Sequence, residues 1–258
     1  MRTICIVIVI LFGNYFLSAQ SFQELNNNKG DNAFISNWIH LMGRHTSVSP
    51  KFTESYSGFT INGSFHVNDY EKWSWRYDFE NPTLGDMIFL LFNIKKMDQL
   101  AGSQAFGSGF LGWHQTYINV VATDRLLVSP GLSFGDYIFA SERVEGSAAH
   151  NNAHILDPAG YFLHVGPAIK ASYVLTNNLW LDAFATYDIG FQVGKPSADY
   201  QATKGYPRPG FLNVGAKIHH AKVRMFGSVR VTQLMDSGEN NDSATRLDIS
   251  AGYMFGNR

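Results

Sequence analysis

Two kinds of residue in this chain are placed to do chemistry: histidines set near hydroxyls, amides or carboxylates, and charges that recur every second position. His114 and Thr116 stand two apart, which on a strand puts both on one face, the arrangement a histidine base needs beside a hydroxyl nucleophile. No serine and no acidic partner can be assigned to that pair, so a histidine held in a hydrogen-bond network, facing the interior, is expected. His150 and His154 flank Asn151-Asn152, with Asp157 close by. A spacing of four would set both imidazoles on one side of a helical turn and suit a metal. Third and fourth ligands of known placement are lacking, so the expectation is a solvated polar loop with no metal and no cofactor. His219-His220 falls at a turn and is expected in solvent.

The charged positions have a period. Lys72, Arg76, Asp78, His164, Lys170, Asp182, Asp188, Lys217, Arg224, Arg230, Arg246 and Asp248 all alternate with apolar residues. The other parity reads Phe59, Ile61, Phe65, Val67; Trp73, Trp75, Tyr77, Phe79; Leu163, Val165, Ile169, Tyr173; Leu179, Leu181, Tyr187, Ile189, Phe191; Leu212, Val214, Ile218; and Val223, Met225, Val229, Val231. The chain ends the same way, on Leu247, Ile249, Ala251, Tyr253 and Phe255 against Arg246, Asp248, Ser250 and Gly252. A period of two means strands with one greasy and one polar face. Both signs of charge share the polar stripe, so a narrow interior would force them to pair. A three-residue loop at Thr176 sets Lys170 against Asp182 and His164 against Asp188. A similar register across 235–243 sets Arg230 against Asp248.

Composition fits this reading. The 258 residues hold 20 basic and 21 acidic side chains, 24 glycines and 14% aromatics. That charge balance argues against nucleic acid as a partner. Met1-Arg2, the apolar run from Ile4 to Phe12 and Leu17-Ser18-Ala19 read as a secretory signal, cut after Ala19. The run is too short to cross a bilayer as a helix. Cys5, the only cysteine, lies inside that signal, so the mature chain makes no disulfide.

Strands are expected near 55–67, 71–80, 84–95, 106–121, 125–140, 160–174, 178–191, 209–220, 222–234 and 244–256. Connections alternate between short (81–83, 122–124, 175–177, 221–222) and long and polar (96–105, 141–158, 192–208, 235–243). The connection at 68–70 breaks that rule by being short on the long-loop side. A sandwich with Greek-key crossings has no reason to sort its loops so. The expected fold is therefore an all-β, transmembrane, antiparallel up-and-down barrel of about 10 strands, with 8 or 12 as alternatives. Its parts would be a signal at 1–19, an N-terminal segment at 20–50 and the barrel at 51–258. Within 20–50, Phe34, Ile35, Trp38, Ile39, Leu41 and Met42 follow helical spacing between Asp31 and Gly43. A short helix at the barrel mouth or in the lumen is expected there.

This organisation resembles the small outer-membrane β-barrel proteins of Gram-negative bacteria, and Ser18-Ala19-Gln20 looks like the signal junctions common in the Bacteroidota. The resemblance implies contact with outer-membrane lipid and with the barrel-assembly machinery, which in that family reads a terminal aromatic. Phe255 matches that aromatic in type, although Gly256-Asn257-Arg258 follow it. Three roles fit the residues. One is a structural, interaction or ligand-binding barrel with a closed lumen, working through its outer loops or within a larger envelope complex. Its binding candidates are His150, His154, Tyr200, Tyr206 and Arg208 in the two longest loops. The others are a narrow solute channel and a barrel hydrolase acting on lipid or peptide. Mixed lumen charge favours the first.

Overall fold

The computed structural model describes residues 38–48, 54–67, 71–82, 105–140, 160–176, 178–193, 210–220, 222–235 and 244–255. In chain order the strands are β1 (Trp38–Val48), β2 (Glu54–Val67), β3 (Trp75–Pro82), β4 (Ala105–Ile118), the two-residue β5 (Val121–Ala122), β6 (Leu126–Ala140), β7 (Gly160–Thr176), β8 (Leu179–Gln192), β9 (Gly210–His220), β10 (Met225–Met235) and β11 (Ala244–Phe255). All pairings are antiparallel. They run from β4 through β3, β2, β1, β11, β10, β9, β8 and β7 to β6, and β4 pairs with β6 to complete a ring. The ten long strands therefore form a closed up-and-down barrel, and β5 is a small extension of β6. Closure leaves the sheet without an open edge, the requirement for a sheet surrounded by hydrocarbon.

Two elements differ from the sequence expectation. The segment expected as a helix is strand β1, from Trp38, so the barrel begins before residue 51. Its residues satisfy both periods over a short window, since Ile39, Leu41 and Gly43 also alternate with His40, Met42 and Arg44. Pairing on both sides, Ile39 with Phe255 and with Gly63, decides the matter in favour of a strand. The expected strand at 84–95 lies outside the described residues. Its place in the ring is taken, because β3 pairs directly with β4, Trp75 opposite Ile118. Together these changes move the connection 68–74 to the short-turn end, with 119–125, 177–178 and 221–224. The other end carries 49–53, 83–104, 141–159, 193–209 and 236–243. The connection 68–74 thus ceases to be the exception, which passes to 49–53, short on the long-loop end; the remaining long loops all lie at that end, as in outer-membrane barrels.

The wall contains one large irregularity. Between Ser108 and Trp113 the pairing of β4 with β6 shifts register, so that 109–112 bulge opposite Asp136. Gly112 in the bulge has φ +78°, and a Cβ there would lie 2.3 Å from the Glu80 carbonyl oxygen. Only glycine fits both demands.

Closure predicts an outcome. A chain starting at residue 50 leaves β2 and β11 with bare edges, and it should lose the compact, fast-migrating band that the unheated full-length barrel gives on a denaturing gel. An unchanged band for that truncation would show that β1 is dispensable for the ring.

Candidate functional site

The lumen holds the chemistry. Buried polar residues line it from end to end, beginning with Ser64, Arg76, Asp78, Lys170, Ser172 and Asp182 toward the short turns. Asp182, 1% exposed, is the hub of this lower cluster. Its carboxylate meets Arg76 Nη2 at 3.3 Å, Lys170 Nζ at 3.3 Å and His219 Nε2 at 3.2 Å, and also accepts from the Ser172 hydroxyl. Asp78 sits one layer up, taking Arg76 Nε at 2.9 Å, Lys170 Nζ at 2.6 Å and the Ser64 hydroxyl. The middle layer is Arg230. Its guanidinium reaches Glu80 at 3.0 Å and Asp248 at 2.9 Å and lies over the Trp113 ring, 4.6 Å from the centroid. Arg246 Nε holds the other oxygen of Asp248 at 2.9 Å. The upper layer is Asp188, 3.3 Å from His164 Nδ1 and accepting from Thr186, Asn213 and Ser133.

Aromatic rings close both ends of this column. Toward the short turns Trp180 stacks on His219 (4.3 Å, 4°), with Val174, Leu127 and Phe226 buried around them. Toward the long loops Tyr137 stacks on His164 (4.5 Å, 21°) and abuts Phe211 (4.5 Å), with Phe162 also buried. Between the ends lies a cavity of about 40 Å³, lined by Asp78, Glu80, Gln115, Lys170, Lys217 and Asp248 among others. That is room for roughly three water molecules. Gly135 makes part of this packing possible, since a Cβ there would meet the Gly112 carbonyl at 2.1 Å and His164 Nε2 at 2.8 Å.

The registers refine the expected pairs. Arg230 stands directly opposite Asp248. Across the β7–β8 hairpin the register is two residues from the expected one, because the turn lies at 177–178 instead of 175–177, with an irregularity at Val174/Thr176. Asp182 faces Ser172, Lys170 faces Phe184, and His164 faces Gly190. Lys170–Asp182 and His164–Asp188 still meet, as diagonal neighbours, because long side chains reach one step along the strand. Two charges leave the column. Lys72 is exposed in the turn before β3, and Arg224 occupies the β9–β10 turn, half-buried, with φ +55°. His219 is fully buried rather than solvated, and His220 half-buried.

His114 departs furthest from expectation. It faces outward, stacked between Tyr77 (5.9 Å) and Phe134 (5.1 Å), because Trp113, Gln115 and Tyr117 take the interior. Its Nε2 donates to the Leu111 carbonyl at 2.6 Å, which leaves Nδ1 to accept from the Tyr77 hydroxyl at 2.6 Å. Thr116 shares that face and accepts from the Trp75 indole at 2.6 Å. The peptide joining Leu111 to Gly112 continues the chain, for Gly112 N–H donates to Asp136 at 2.8 Å and Leu111 N–H donates to it at 2.9 Å. Asp136, fully buried beneath the bulge, was not singled out from the sequence; the glycines at 107, 109 and 112 were the available signal. His150, His154, Tyr200, Tyr206 and Arg208 lie outside the described residues.

The outer face is the converse of the lumen. Ile61, Phe65, Leu132, Phe134, Val165, Ile169, Ile189, Val214, Val229 and Ile249 are each 38–55% exposed and form a continuous apolar band. Charges inside and hydrocarbon outside invert the polarity of a water-soluble protein, and such a closed sheet is stable only with lipid around it. The chain has the fold of an outer-membrane β-barrel. No family model and no curated protein matches its sequence. Among solved structures it is similar to the outer-membrane channel DcaP of Acinetobacter baumannii, at 9% identity over 85% of this chain and 72% of that one, with a TM-score of 0.25. It is similar to the NanC porin at 10% identity over 83% of this chain and 98% of that one, with a TM-score of 0.29. It is also similar to Ail of Yersinia pestis, solved with the heparin analogue sucrose octasulfate, at 9% identity over 85% and 97%, with a TM-score of 0.26. Likeness at this level carries no functional weight, and the assignment stands on the barrel's own register and faces.

The column predicts a rescue. Arg230→Met should destabilise the barrel by about 3–5 kcal/mol in urea titrations in detergent, since it leaves Glu80 and Asp248 with too few cations. Adding Glu80→Gln should recover part of that loss. If the double variant is weaker than the single, the two carboxylates do not share Arg230.

Proposed function

We propose that this protein is a closed membrane-spanning scaffold that works through its long loops, in a structural, interaction or ligand-binding role and within a larger envelope complex. What supports the reading is the filled lumen. Ion pairs, buried hydroxyls and two aromatic seals occupy the bore among the described residues, and a cavity of about 40 Å³ is far below the several hundred Å³ of a usual ligand pocket. With the bore filled, recognition falls to the connections at 141–158 and 192–208, where His150, His154, Tyr200, Tyr206 and Arg208 supply imidazole, phenol and guanidinium groups. The junction Ser18-Ala19-Gln20 supports an origin in the Bacteroidota, with the signal removed after Ala19. The hydrolase reading loses its best residue, because His114 faces outward and its two nitrogens are engaged by Tyr77 and Leu111.

Planar-bilayer recording tests the proposal. The purified barrel should give no stepwise conductance in molar salt, and Trp180→Ala with Val174→Ala should not by themselves open a steady pore while the ion column stands. Stable unitary currents from the unmodified protein would replace this reading with a narrow channel. Deleting 145–155 and 196–206 should leave heat-modifiable barrel in the membrane while abolishing partner capture in native-membrane pull-downs. Survival of that capture in the double deletion would remove the loops from the mechanism.

A further inference from the structure

Among the described residues only two non-glycine positions have positive φ: Trp73 (68°) and Arg224 (55°). Both lie in turns at the short-turn end of the barrel, and both carry side chains suited to a lipid headgroup. The left-handed region costs an ordinary side chain roughly 1–2 kcal/mol per residue, so a chain normally puts Gly or Asn there. In the β9–β10 hairpin, His220 pairs with Met225, which makes 221–224 a four-residue loop with Arg224 at its last position. Glycine would relieve the backbone at this position.

The surroundings indicate what arginine does there. Residues 210–235 contain no Asp or Glu, while Lys217, His219, His220, Lys222, Arg224 and Arg230 all fall within them. Lys217, His219 and Arg230 point into the lumen, which leaves His220, Lys222 and Arg224 at the rim. His220 Nδ1 accepts from Val223 N–H at 3.3 Å, which helps fix the turn. Val223 and Met225, each 52% exposed, and Ile218, 43% exposed, lie beside these cations on the lipid-facing side. Cations at the rim above an exposed apolar strip match an anionic headgroup with its acyl chains. Trp73 marks the same level elsewhere on the ring. It is 69% exposed, its backbone N–H is fixed on the Asn119 carbonyl at 2.7 Å, and Lys72 Nζ lies 5.4 Å from its ring centroid. Tryptophan with a flanking lysine is the usual content of a headgroup layer.

We infer that the β9–β10 turn is a binding site for an anionic phospholipid of the leaflet facing the short turns, its phosphate held by Lys222 and Arg224 and its chains lying on Val223, Met225 and Ile218. The inference rests on the barrel assignment and is independent of the loops. Strain at Arg224 is then the cost of aiming a fixed cation at the headgroup layer.

The test uses the full-length barrel in nanodiscs of phosphatidylcholine alone or with phosphatidylglycerol. Native mass spectrometry after detergent release should find phosphatidylglycerol retained on the wild type in preference to phosphatidylcholine. Each of Arg224→Gly and Lys222→Gln should weaken that retention about fivefold, the contribution of one cation near an anionic surface. Arg224→Gly should also unfold at equal or higher urea concentration in phosphatidylcholine, because glycine relieves the backbone. Equal retention of the two lipids by the wild type, or unchanged retention in Arg224→Gly and Lys222→Gln, would overturn the site. Should Arg224→Gly not assemble, Lys222→Gln and Arg224→Lys decide alone, the second keeping most of the preference.

Discussion

The constraint on which this structure depends is electrostatic neutrality inside a narrow, enclosed bore. Among the described residues the interior brings five carboxylates (Asp78, Glu80, Asp182, Asp188 and Asp248) together with five Lys or Arg cations (Arg76, Lys170, Lys217, Arg230 and Arg246). Removing such charges from water is costly, and only short contacts with satisfied hydrogen-bonding atoms offset it. Hence the layering: Asp182 binds two cations and His219, Asp78 shares both of those cations, and Arg230 spans two carboxylates. Each ion thus fixes residues on several strands. Arg76 on β3 is tied through Asp182 to β8 on the far wall, and Arg230 on β10 through Glu80 to β3. The column therefore braces the cylinder across its bore, where backbone bonds act only around its circumference.

The outer wall shows the same constraint from the other side. Lipid offers no partners, so any polar group placed there must be satisfied within the wall. The bulge in β4 frees backbone amides, and Asp136 takes two of them. The carbonyl of the same bulge takes His114, and His114 takes Tyr77. A run of hydrogen bonds from carboxylate through peptide and imidazole to phenol gives partners to the amides of Leu111 and Gly112 and to the Leu111 carbonyl. Hydrogen bonds in series polarise one another in a low-dielectric setting, which favours the arrangement as a unit.

Most of the barrel was legible because strand period and lipid polarity reinforce each other. Wherever the outward residue was aliphatic and the inward one charged, as along β7 to β11, the faces follow the alternation. The reading failed where both parities were mixed. On β4, amphipathic aromatics such as Trp113 and Tyr117 went inside; the Trp113 indole donates to Ser133 and its face receives Arg230. A narrow bore needs such bulk, so polarity alone misplaces His114. The β1 sequence reads as a helix because a short run with many apolar residues satisfies both periods, and only its two neighbours select one. The β7–β8 register differed by two because turn irregularities are not encoded in hydrophobic alternation. The lumen charges were visible from their spacing, while Asp136 was not, since its role depends on a bulge in another strand.

The seam between β1 and β11 joins the two ends of the chain, with Ile39 opposite Phe255. Every other junction among neighbouring long strands links segments consecutive along the sequence, so each can form as a local hairpin. The seam alone must bring together residues separated by nearly the whole polypeptide, at an entropic cost about 3–4 kcal/mol above that of closing a tight hairpin. Assembly is thereby given an order. Loop entropy alone favours the local hairpins first and the meeting of the two outermost edges last. Until that moment the sheet carries two complementary open edges, on β1 and β11.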